Sequence, residues 1–170
     1  MIERMDQNIG EVLKKIEEKN FAKNTLIIFK SDNGASRSGS NHPFSGFKGS
    51  LFEGGIRVPC IVKWLGVLPE GFIFHQPCMT MDFTVSMLRA AGNCMPSVRK
   101  LDGIDILKWI ETKQPVKKRI LFWRARRGQR TRKAVRDGKI KYIFEKVNNS
   151  IREYLFDLAN DPAEKIKLIR

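Results

Sequence analysis

Residues 25–39 read "TLIIFKSDNGASRSG". Four apolar residues, two of them β-branched, are followed after Lys30-Ser31 by Asp32-Asn33-Gly34. A short continuous apolar run of this kind suits a strand buried on both faces, as in a parallel sheet. Asp, Asn and Gly disfavour strands and favour turns, so the strand should end at Asp32. Side chains of consecutive strand residues point to opposite faces. Asp32 and Asn33 can therefore serve one point only where the backbone has left the strand, which Gly34 permits. In an open α/β sheet, ligand sites lie beyond the carboxyl ends of the strands. Two readings stay open here: a plain turn, or a pair of hard oxygen donors suited to Ca²⁺ or Mg²⁺.

Upstream, Met5, Ile9, Val12, Leu13 and Ile16 recur at helical spacing, and Asn20 is a stop signal. A helix leading into a buried strand indicates an α/β layer fold. Downstream, residues 34–55 form a Gly- and Ser-rich stretch without sustained periodicity. A loop of that length in a compact domain is functional or disordered. Phe44, Phe47 and Phe52 within it favour order. Lys48 stands between Gly46 and Gly49, where backbone or ligand can approach closely. It is either a solvated lysine or a point charge for an anionic oxygen. His42 lies in the same loop. Gly54-Gly55 is expected to serve backbone geometry. The phosphate-binding pattern GxxxxGK[ST] and the nucleophile elbow GxSxG do not occur.

Further along, "CIVKW" (60–64) predicts a second buried strand, "MDFTVSMLRAAG" a helix from Asp82 to Ala91 stopped by Gly92, and "DILKWI" a short helix. Beyond Thr112 the chain becomes strongly basic and β-like. "AVRDGKIKYIF" predicts a hairpin turning at Asp137-Gly138, and "EYLFDL" a final strand. "NDPAEKIKLIR" opens like a helix, with Asp161 at the N-cap, Pro162 at the first helical position and Glu164 three residues after the cap. A boundary is placed at about residue 112: 1–112 as an α/β part, and 113–170 as a small sheet with an incomplete final helix.

The 170 residues carry 42% hydrophobic and 29% charged side chains, ordinary for a globular domain, but a net charge of +14. Such a charge attracts polyanions: nucleic acid, anionic membrane surfaces, or sulfated and phosphorylated substrates. Segment 117–141 interleaves Arg and Lys with Phe122 and Trp123, with Tyr142 just beyond, either as a polyanion-binding surface or as a solvated face. Cys60, Cys78 and Cys94 show no C-x-x-C spacing, so neither a zinc cluster nor a disulfide framework is visible. No apolar run is long enough to span a bilayer, and residues 1–15 lack the apolar centre of a signal peptide.

Taken in order, "MDQNIGEVLKKIEE", "TLIIFKSDNG", "GFKGSLFEGGIRVPCIVKWLG", "MDFTVSMLRAAG", "LDGIDIL", "LFWR", "AVRDGKIKYI" and "EYLFDLANDPAEK" resemble the C-terminal half of the type I sulfatases, the arylsulfatase-like sulfuric ester hydrolases. Each block is short; the ordered series spans nearly the whole chain. The resemblance implies part of an alkaline-phosphatase-like α/β sandwich followed by a small antiparallel sheet plus helix. It implies hydrolysis of a sulfate ester through a formylglycine, made from Cys or Ser, with Ca²⁺ (or Mg²⁺) as cofactor. Asp32 and Asn33 match the metal-ligand pair, and Lys48 matches the lysine that contacts sulfate. His42 is a candidate substrate contact. The expected partners are a sulfate-ester substrate, such as a sulfated glycan, and an N-terminal half acting within the same protein or by complementation. Family members are usually exported to the periplasm, lysosome or medium.

The family's "C/S-x-P-S/A-R" motif, its acidic metal pair, its Lys-x-His pair and its further histidine have no recognisable counterpart in these 170 residues. "CMPSVR" (94–99) imitates the motif, but Val98 separates Ser97 from Arg99, and it follows the lysine block instead of preceding the metal strand. Cys94 is therefore not expected to be the formylglycine precursor, and no nucleophile is assigned in this chain. Ca²⁺ takes about 6–8 oxygens, whereas Asp32 and Asn33 offer about three at most. The expectation is a sulfatase piece that is inactive alone. With sheet neighbours missing beside "TLIIF", an exposed edge should favour self-association, visible by size-exclusion chromatography.

Overall fold

The computed structural model describes residues 1–93, 99–113 and 118–169. The chain divides into two compact units, Met1–Ile28 with Val62–Lys117, and Phe29–Ile61 with Lys118–Arg170. Residues 29–61 group with the C-terminal sheet. The chain crosses between units inside strands β1 (Ile27–Lys30) and β2 (Cys60–Lys63), which pair as a two-stranded sheet.

In the first unit, α1 (Ile2–Glu18) follows the predicted periodicity. Asn20 ends it in a left-handed conformation at φ 58°, a conformation that Asn tolerates well. None of its apolar residues is buried. α3 (Thr80–Ala90) and α4 (Ile106–Thr112) pack together and bury Phe83, Val85, Ile106 and Leu107. A buried polar staple sets their geometry. Asp82 accepts hydrogen bonds from the Met79 N–H (2.7 Å) and the Ile104 N–H (3.0 Å). Ser86 Oγ donates to Asp82 O and accepts from the Ile106 N–H at 2.9 Å. Buried polar groups satisfied in this way specify one arrangement of the helices. Gly103 makes the approach physically allowed, because a Cβ there would sit 2.2 Å from Met81 O.

The prediction that β1 and β2 are buried on both faces is corrected. Phe29 is 46% exposed and Ile61 65% exposed. A two-stranded sheet leaves its apolar faces open unless other elements cover them, and among the described residues none buries these side chains. No helix among the described residues is long and apolar enough to cross a membrane.

The second unit is organised by a four-stranded antiparallel sheet: β3 (Ile120–Arg127), β4 (Arg130–Asp137), β5 (Ile140–Val147) and β6 (Ser150–Asp157), in sequential order. Each strand has 8 residues, and each connection has two. Gly128, Gly138 and Asn148 open the three turns at φ 56°, 58° and 52°. Positive φ at that position matches the right-handed twist of the flanking strands, which is why Gly and Asn stand there. The expected turn at Asp137-Gly138 and the expected final strand are both present. Alternation then sorts the side chains. Leu121, Ala134, Ile143 and Phe156 point to one face and are buried. Leu51, Phe52, Ile56 and Leu158 pack against that face. Phe52 meets Tyr154 edge-on, with ring centroids 5.1 Å apart. Ile143 and Phe156 are almost fully buried, worth roughly 1.5–3 kcal/mol each.

The predicted C-terminal helix is corrected as well. After Asp157 the described residues contain turns and no helix. Asp161 begins as predicted: its carbonyl accepts the Glu164 N–H at 3.1 Å and its carboxylate accepts the Ile166 N–H at 2.7 Å. Glu164 then turns left-handed at φ 57°, which no α-helix accommodates. The turn carries its side chain into the interior, where a buried lysine waits.

Candidate active-site loop and the ionic cluster beneath it

Residues 31–57 leave β1, fold into a compact loop, and end in α2 (Glu53–Ile56). Ser31 Oγ donates to Asn33 O at 2.7 Å and shapes the turn that ends β1. The Gly34 N–H donates to Gly55 O at 3.1 Å, and the Gly54 N–H to Ser45 O at 2.7 Å. Side chains are excluded from these crossings. A Cβ at Gly34 would lie 1.8 Å from Gly54 O, and one at Gly54 would lie 2.5 Å from Ser45 O. This explains both the turn at Gly34 and the Gly54-Gly55 pair. Asn41 ties the loop to itself: its Oδ1 accepts the Ala35 N–H (2.7 Å), and its Nδ2 donates to Ala35 O and Gly46 O (3.1 Å each). The Lys48 N–H donates to Ala35 O at 2.9 Å.

The loop therefore brings Lys48 back to within two residues of Asn33 along a hydrogen-bonded backbone. Asp32 and Lys48 are exposed, and Asn33 is half-buried. Among the described residues neither the Asp32 carboxylate nor the Lys48 ammonium has a side-chain partner. His42 is exposed in the same loop, its N–H bonded to Ser40 Oγ at 3.2 Å. No group of three or more His, Cys, Asp or Glu side chains suited to a metal occurs among the described residues. The donors at Asp32 and Asn33 are hard oxygens of the right chemistry, but they are too few to complete a Ca²⁺ shell. Cys94 lies outside the described residues. Burial pushes the Cys60 thiol up, against the pull of Lys30, which keeps it a poor nucleophile near neutral pH.

Sequence reasoning missed what lies under this loop. Glu53, at the first position of α2, is buried beside Lys141 of β5 and Glu164 of the C-terminal turn. Lys141 Nζ donates to Glu53 Oε1 at 2.8 Å and forms an ion pair with Glu164 Oε1, also at 2.8 Å. Glu164 Oε2 accepts the Glu53 N–H. Arg136 and Arg57 reach Glu53 Oε2 as longer ion pairs, at 3.5 and 3.6 Å. Burial raises the Glu164 carboxyl above its ordinary range, with Lys141 pulling the other way. Burial likewise lowers the Arg136 guanidinium, with Glu53 opposing. Two cations of the basic segment and its edge, Arg136 and Lys141, thus turn inward instead of facing water. Alternation in "KIKYIF" put Lys141 on the same face as Ile143, but only the partner carboxylates, 88 and 23 residues away in sequence, make that position habitable.

Against this geometry stand the likenesses to known proteins. The sulfatase family model matches residues 1–93. N-acetylgalactosamine-6-sulfatase of Canis lupus familiaris is 34% identical over 171 residues, covering 97% of this chain and 32% of that protein. Steryl-sulfatase of Mus musculus is 38% identical over 116 residues, covering 62% of this chain and 19% of that protein. The chain thus spans about a third or less of the relatives it matches. Among solved structures, Ps i-CgsB superposes with a TM-score of 0.87 at 29% identity, over 99% of this chain and 37% of that one. A second structure of that protein holds k-i-k-neocarrahexaose.

Proposed function

This chain belongs to the sulfatase family, and on that premise we propose that it is the part of a sulfuric ester hydrolase that holds the sulfate group and supplies part of the metal site. The observation that carries the reading is the glycine-packed loop. It returns the Lys48 backbone to Ala35 at 2.9 Å while leaving the Asp32 carboxylate and the Lys48 ammonium exposed. Lys48 serves as a point charge that opposes the negative charge on the sulfate oxygens. Asp32 and Asn33 donate carboxylate and amide oxygens to a divalent cation, Ca²⁺ or Mg²⁺. When bound, that ion adds charge stabilisation at the sulfate. His42, in the same loop, contacts the organic part of the substrate. Asn41 and the glycine crossings hold these groups in place, so little ordering remains to be done on binding.

The formylglycine nucleophile and the remaining oxygen ligands come from a sulfatase N-terminal half, within one protein or by complementation. The 170-residue chain alone is therefore inactive. The substrate belongs to the sulfate esters, with sulfated glycans as the leading class.

The test has two arms. The purified chain with Ca²⁺ and an aryl sulfate should release no sulfate above background. Combined with a sulfatase N-terminal half carrying formylglycine, it should release sulfate, and Lys48→Ala should lower the rate by about 10²–10³-fold, the range for losing a charge-stabilising donor. Turnover by the chain alone would overturn the inactivity. Complemented turnover indifferent to Lys48→Ala would overturn the role of the lysine.

A further inference from the structure

The core-facing side of the C-terminal sheet does not remain apolar to its end. Beyond the row Trp123, Ala134, Ile143 and Tyr154 come two rows that the register defines. One is Ala125, Arg132, Glu145 and Arg152; the other is Arg127, Arg130, Val147 and Ser150. In these two rows four arginines stand with a single carboxylate. Arg127 and Arg130 are directly opposed across the β3–β4 ladder. Like charges in that position destabilise a sheet. Glu145 is already engaged, since Arg130 Nη2 donates to its Oε1 at 3.2 Å. Among the described residues, no carboxylate forms an ion pair with Arg127, Arg132 or Arg152. Arg132 Nε is shielded from solvent and has no hydrogen-bond partner. A buried donor left without an acceptor is costly unless a ligand supplies one.

We propose that this arginine cluster is an exosite for an extended sulfated polysaccharide, separate in sequence and in strand position from the Lys48 loop. Adjacent strands stand about 4.8 Å apart and alternate residues about 6.8 Å, so the four guanidinium stems cover a field of roughly 7 by 14 Å. That is too wide for one sulfate and matches several anionic groups on a polymer. Guanidinium forks bind such oxyanions bidentately. Burial and the neighbouring Arg130 lower the Arg132 guanidinium, with Glu145 pulling the other way and Arg127 adding to the repulsion, which a bound anion would relieve. Nucleic acid fits less well. Single strands bind through stacked bases as well as phosphates, and these two rows contain no aromatic ring; Trp123 and Tyr154 sit one row away, packed on the core. The choice of a sulfated polymer rests on the sulfatase reading, while the binding itself needs no turnover.

The experiment titrates the full chain with a heparin oligosaccharide, with unsulfated hyaluronan, and with single-stranded DNA of matched charge, across a salt series. Heparin should bind tightest, with a steep salt dependence. The variant Arg127→Ala/Arg132→Ala/Arg152→Ala should lose at least about tenfold in heparin affinity at physiological salt and flatten the salt slope by about two to three. Arg130 is left in place because Glu145 depends on it. The matching Lys variant keeps the charge and guards against misfolding: it should retain most of the slope and lose affinity. Equal heparin binding by the Ala variant and the parent would overturn the exosite. DNA binding as tight as heparin would overturn the assignment to a sulfated glycan. Heparin binding without any sulfatase activity in the complementation assay would leave the exosite standing and count only against the catalytic reading.

Discussion

Lys141 is fully buried between two carboxylates, with Glu53 and Glu164 both within 2.8 Å. Lys141→Met preserves the length of the side chain and removes its charge. Two buried carboxylates then remain, with the longer ion pairs from Arg136 and Arg57 to Glu53 and, among the described residues, no other ion pair to Glu164. Removing one partner of a buried ion pair costs about 3–5 kcal/mol. At about 2–4 °C per kcal/mol for a chain of this size, the melting temperature should fall by roughly 6–20 °C. The loss should be partly recoverable. Adding Glu164→Gln to Lys141→Met removes one stranded charge while the amide oxygen keeps the Glu53 N–H, so the double variant should be more stable than Lys141→Met alone. Glu164→Gln alone should be the mildest of the three, because burial already disfavours its charged form. Chemical and thermal denaturation followed by circular dichroism gives all three values as a double-mutant cycle. A loss below about 1 kcal/mol for Lys141→Met, or no recovery in the double variant, would refute the view that the cluster ties α2 to the sheet and the C-terminal turn.

Gly34→Ala should destabilise the chain by about 3 kcal/mol or more, because its Cβ would overlap a rigid carbonyl at 1.8 Å; a denaturation midpoint within error of the parent would contradict the crossing. Lys48→Ala should leave stability within about 0.5 kcal/mol, since the side chain is exposed and unpartnered, and differential scanning calorimetry would reveal any larger change. Asp157 is held below the ordinary carboxylate range by the Ala159 N–H and by Asn160. A lowered folded-state value means that its contribution is complete above about pH 4 and is lost as the pH falls further. Asp157→Asn should therefore flatten the fall in urea midpoint between pH 5 and pH 3, and an unchanged pH profile would exclude that role.

Local patterns were legible in the sequence because their causes are local. The period of α1, the stops at Asn20 and Gly92, and the hairpin at Asp137-Gly138 depend on neighbours within a few residues. The ordered blocks around "SDNG" and "FKGSLFEGG" were enough to indicate the sulfatase family and to single out Asp32, Asn33 and Lys48. Tertiary structure decided what local signals could not. It left β1 and β2 open, because burial depends on which surfaces meet them and not on their own apolar run. It replaced the expected C-terminal helix with a turn, in which a left-handed Glu164 pairs with the buried Lys141, 23 residues away in sequence. It also explained the glycines. The sequence marked Gly34 as a turn former and Gly54-Gly55 as serving backbone geometry, and the fold supplies the reason: at each, two backbones cross too closely for any Cβ. The arginine rows follow the same logic. Their composition was visible along the chain, but only the strand register puts four of them in two adjacent rows beside a single carboxylate.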